Sequence, residues 1–150
     1  MTRHAFILSA ILAAGLALPD AVAAEGDARG ALDGLVFVST IDVIGADRTF
    51  PDRKTFADGM FFSEECQRVR DFGAASYYTR AEGDGIAFVV DMACSDAPQS
   101  VRWKGVVTGD RIEGTALWKV ERLYWTVERH ATFEGKLIKG PDRQAAIAVE

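Results

Sequence analysis

The chain has 150 residues, with 17 Lys and Arg against 22 Asp and Glu, a formal net charge of -5 and an apolar fraction of 49%. That acidic balance excludes nucleic acid and anionic surfaces as partners drawn in by charge, because phosphate-dominated attraction needs a basic face. The basic residues are scattered, and "KVERLYWTVERH" alternates them with glutamates, so these charges read as a solvated face.

Residues 1–24 read as a cleaved secretory signal peptide. Arg3 supplies the positive start, Ala5 to Leu18 is a run of apolar and small residues too short for a comfortable span, and "AVAA" before Glu25 is a small-residue cleavage site. Removing one cation, Arg3, and one anion, Asp20, leaves the charge balance unchanged. The expected mature chain is periplasmic or extracellular, without a stable membrane anchor. Residues 25–138 form one expected domain, and residues 139–150 a tail or edge strand. A chain of about 125 residues is long enough to bury a core without metal.

The organising signal from there on is period two, broken by turn residues at short intervals, which predicts an antiparallel meander. "GLVFVSTIDVI" is a β-branched strand. In "KTFADGMFF" the Asp58-Gly59 pair suits a type I′ hairpin that sets Phe56 opposite Phe61. Ser63 is a good N-cap, Glu64 and Glu65 suit a helix start, and Arg68 and Arg70 suit its last turn with Gly73 as the stop, so a short helix is predicted near residues 63–72. In "YYTRAEGDGIAFVVDMAC" a loop over Glu82 to Gly85 sets Ile86, Phe88 and Val90 opposite Ala81, Thr79 and Tyr77, with Met92 and Cys94 continuing the inward face.

"VRWKGVVTGDRIEGTALW" carries a Gly109-Asp110 pair suited to a type II′ hairpin. The register it sets pairs Val107 with Ile112, Gly105 with Gly114, Trp103 with Ala116 and Val101 with Trp118 on one apolar face. Two facing glycines weaken a strand pair unless they let the sheet coil, accept a neighbouring ring, or open a cavity. "VERLYWTV" matches both a helical stripe and a strand, and its aromatic and β-branched content favours the strand. "ATFEGKLI" puts Phe133, Gly135 and Leu137 on one face.

Cys66 and Cys94 are the only cysteines, and an even count in an exported chain predicts a disulfide closing a loop of about 29 residues, worth on the order of 3 kcal/mol. No C-x-x-C occurs and the exported part holds one histidine, His130, so no metal site and no cofactor are expected. No G-x-S-x-G surrounds any serine. The candidates for an enzyme are therefore Asp91, beside Val89 and Ala93 on its strand face, and His130. Each is also explained as a surface residue, Asp91 by a nearby Arg80 or Arg102.

About eight strands with short turns and one helix resemble the small calycin-type, lipocalin-like barrels. The G-x-W of a lipocalin first strand reads Gly34-Leu35-Val36-Phe37 here, and Trp103-Lys104-Gly105 carries that motif reversed. The chain is also similar in layout to uncharacterised exported bacterial proteins with a D-G turn, a cysteine helix and a W-x-G strand. The resemblance implies an all-β barrel or rolled sandwich with a pocket. Its expected use is non-catalytic binding of a small apolar or aromatic ligand at Trp103, Gly105, Gly114, Trp118, Tyr77 and Phe88. The alternatives are an envelope protein-protein interaction module with a filled core, and an enzyme using Asp91 or His130.

Overall fold

The computed structural model describes residues 30–140, so the signal segment and most of the expected tail lie outside the described residues. The strands are β1 (Val36–Val43), β2 (Thr49–Ala57), β3 (Met60–Ser63), β4 (Ala75–Glu82), β5 (Gly85–Ala93), β6 (Gln99–Thr108), β7 (Arg111–Glu121) and β8 (Thr126–Lys139), with one helix, α1 (Glu64–Val69), after β3. They pair antiparallel in chain order, and β8 returns to β1 to close an eight-stranded barrel. Closure leaves no edge among the described strands, which removes the aggregation hazard of an open meander.

Turn chemistry sets the register as expected. Asp58 and Gly59 both take positive φ, +53° and +72°, the requirement of a type I′ turn, and Phe56 pairs with Phe61. Gly109 has φ of +58° at the first central position, and β6 and β7 pair residue for residue as the hairpin demands, Gly105 against Gly114 and Trp103 against Ala116. The β4–β5 loop is tighter than expected. Glu82 and Gly85 already pair, which leaves Gly83 and Asp84 as the turn, but the register is the predicted one.

Alternation then sends one face of every strand inward. Phe37, Phe56, Phe61, Tyr77, Phe88, Val90, Met92, Trp103, Ile112 and Phe133 are buried and form one core. Phe56 sits at its centre, with ring centroids of Phe61, Tyr77 and Phe88 at 5.2, 5.1 and 5.2 Å. Edge-to-face contacts of this kind contribute roughly 0.5–1.5 kcal/mol each beyond area burial. One barrel end is closed by the chain leading into β1. Leu32 is buried there, its N–H donates to the Tyr77 hydroxyl at 3.0 Å, and that hydroxyl donates to Asp33 at 2.7 Å.

The helix is shorter than the predicted 63–72. Ser63 caps it, accepting from the Cys66 N–H at 3.2 Å, but Arg70 is already extended. The reason is Phe72, which is buried and draws the chain back to the core before Gly73. The expected disulfide is corrected as well: Cys66 and Cys94 are both free thiols. α1 packs on β2, and β3 and β4 stand between β2 and β5 in the barrel order, so Cys66 is not carried to the end of β5. The Cys94 thiol instead points to the Asp96 carboxylate at 2.9 Å.

Candidate functional site

The facing glycines are the first place to look. A Cβ on Gly105 would fall 2.7 Å from the Phe88 ring and 2.8 Å from the Glu113 carbonyl oxygen. A Cβ on Gly114 would collide with the Lys104 carbonyl, and would lie 2.5 Å from the Gly105 Cα and 2.8 Å from the Phe133 ring. The glycines thus admit two aromatic rings and a close backbone approach on the side to which a Cβ would point. Of the six residues expected to bind a ligand, Tyr77, Phe88 and Trp103 are core residues, and Gly105 and Gly114 form the wall beneath the rings. Trp118 is half-buried and donates its Nε1–H to Gln99 at 3.2 Å.

A second cluster escaped the sequence analysis. β2 alternates, so Asp52 and Lys54 face inward with Phe56, and both side chains are wholly buried, 2.6 Å apart. The Lys54 ammonium also donates to Ser39 Oγ at 2.7 Å and lies 4.7 and 4.6 Å from the ring centroids of Trp103 and Phe133. Asp52 accepts from Ser63 Oγ and from the Glu65 N–H, each at 3.0 Å, and so ties the start of α1 to the barrel. Burial lowers the Lys54 pKa against the opposing pull of Asp52. Burial also pushes the Cys66 thiol up to about 11, which leaves it protonated and unreactive at neutral pH. The signal was in "FPDRKTF", where the period that buries Phe56 also buries Lys54 and Asp52. With no exposed side-chain atom on either ion, the cluster ties β1, β3 and α1 to β2.

Asp91 and His130 come next. Asp91 is exposed and forms a two-pronged pair with Arg102 at 2.6 and 2.9 Å, and that bonding holds its carboxyl below the usual range. His130 is exposed on β8, its Nε2 3.9 Å from Glu128. Arg102 and Leu117 stand between Asp91 and His130 in one lateral row. Three strand spacings put them about 14 Å apart, too far to act on one atom. Among the described residues no group of three metal-ligating side chains forms. An open trough of about 1010 Å³ is lined from β1, β2 and β4 to β8, with Phe88, Gly105 and Gly114 of the expected ligand residues in its wall, and its charges are mixed, Arg80 and Lys104 against Asp42, Glu82, Glu113 and Glu134.

The most exposed apolar segment lies elsewhere. β7 and β8 continue past the last β1 pair, Val43 with Ala131, up to Glu121 with Thr126. The turn between them is Arg122-Leu123-Tyr124-Trp125, closed by the Arg122 N–H on the Trp125 carbonyl at 2.8 Å. Leu123, Tyr124 and Trp125 are 88%, 85% and 62% exposed. The strand expected through "VERLYWTV" is therefore interrupted by a turn that lacks Gly, Pro, Asn and Asp, which is why sequence pattern passed over it. Ile44, 62% exposed, sits at the base of the projection, its N–H on the His130 carbonyl at 2.8 Å.

Fold and surface together define an eight-stranded meander barrel with a packed aromatic interior and an apolar projecting hairpin. No protein-family model, no curated protein and no solved structure matches this chain.

Proposed function

We propose that this chain is an exported barrel of calycin-like layout that works as an interaction module, docking through the β7–β8 hairpin. The observation that carries it is the tip: three consecutive large apolar side chains, exposed among the described residues, at a turn that lies beyond the last β1 and β6 pairs. Single exposed apolar residues need no explanation, but a contiguous group of Leu, Tyr and Trp marks a contact surface, because these types dominate binding energetics. The rings of Phe88 and Phe133 beside the glycine pair favour this outer site over a ligand inside the barrel, which would have to displace them. The pairing of Asp91 with Arg102 leaves an enzymatic role without a free carboxylate there.

The test mixes purified protein with washed cell-envelope fragments and sediments them. The wild type is expected in the pellet, and Leu123→Ser/Tyr124→Ser/Trp125→Ser in the supernatant. The triple variant should stay folded with a cooperative melt, since three exposed substitutions together cost at most about 1.5 kcal/mol. Equal distribution of the two proteins would overturn the proposal.

A further inference from the structure

We infer that the occupant of the hairpin tip is the interfacial zone of a zwitterionic lipid bilayer. The inference rests on the docking role proposed above and names its partner. Shape is the first ground. A binding centre for a protein partner sits within a patch whose surrounding contacts exclude water, whereas Leu123 and Tyr124 stand almost free of neighbours at a convex turn. A convex apolar point is covered most simply by a phase that deforms around it.

Residue chemistry is the second ground. Tyr and Trp carry an apolar body and a polar tip and settle at the depth of lipid headgroups, with the more apolar leucine beyond them. The third ground is charge. Around the turn stand Lys119, Arg122 and Arg129 against Glu121 and Glu128, a local sum of +1. Lys119 is taken up by Glu128 at 2.9 Å, while Arg122 and Arg129 have no carboxylate partner among the described residues. The guanidinium of Arg122, in the turn itself, suits the phosphate of a neutral headgroup, with Arg129 further down β8. A local charge this small on an acidic chain offers little steering toward an anionic surface. Three inserted side chains make a weak, reversible contact and not an anchor.

The experiment uses protein-free vesicles of phosphatidylcholine and phosphatidylethanolamine, read by flotation and by quenching of tryptophan emission with brominated acyl chains. Trp103 is buried and Trp118 half-buried in the barrel, so quenching should report Trp125 and be lost in Trp125→Phe. Expected are binding that barely changes with salt and a fall of at least ~10-fold in the triple serine variant. Envelope fragments that bind while protein-free vesicles do not would overturn the lipid inference, assign the tip to a protein partner, and leave the docking role standing. Failure of both would overturn both. Vesicle binding that the triple variant retains, or that needs anionic lipid and vanishes with salt, would also overturn the inference.

Discussion

Asp52 and Lys54 are two residues apart in one strand and would be unremarked on a surface, yet both are fully buried here. Taking two ions out of water costs several kcal/mol each, repaid only by good geometry and further hydrogen bonds. Ser39, Ser63 and the Glu65 N–H supply those bonds, and two aromatic faces lie near the ammonium. Asp52→Ala should therefore destabilise the barrel by about 3–5 kcal/mol, because it strands the Lys54 charge in the core. Asp52→Ala/Lys54→Met should recover most of that loss, and urea denaturation midpoints check both. The pair was legible from the alternation of β2, but the reason to bury it was not. The partners come from β1, β3 and α1, and no local pattern announces them.

Among the elements, the β6–β7 hairpin was readable down to its register. One turn with the right φ and one apolar face leave a single solution, since a slip by one residue would turn Trp103 outward. What the glycines in it serve was not readable, because Phe88 arrives from β5 and Phe133 from β8. Gly114→Ala must force its Cβ onto the backbone of Lys104 and Gly105, which cannot give as a flexible side chain would. We expect it to lower stability by at least ~2 kcal/mol, whereas Gly140→Ala, whose Cβ would meet nothing within 4 Å among the described residues, should be near neutral. Thermal melts of the two variants compare them directly. The β7–β8 turn shows the opposite case: its residues carry strand propensity, and the chain reverses there because Glu121 and Thr126 pair with each other across it.

For the whole molecule, the decisive feature is the seam in which β8 pairs with β1 from Val43–Ala131 to Val36–Lys139. With the barrel closed by this seam, its backbone amides should exchange with deuterium as slowly as those between β5 and β6. The outward amides of Thr126–Arg129, beyond the last β1 pair, should exchange much faster. Fast exchange along the whole of β1 and β8 would mean an open sheet. Strand types, the hairpin registers, the Ser63 cap and the inward face of each strand were determined by the sequence itself, because period-two burial and turn chemistry act over a few residues. Closure of the barrel, the filling of the glycine gap by Phe88 and Phe133, the separation of Cys66 from Cys94, the burial of Asp52 with Lys54 and the exposure of Leu123, Tyr124 and Trp125 were decided only by the tertiary structure. Each of these depends on which distant strands become neighbours, a long-range choice that local alternation does not encode.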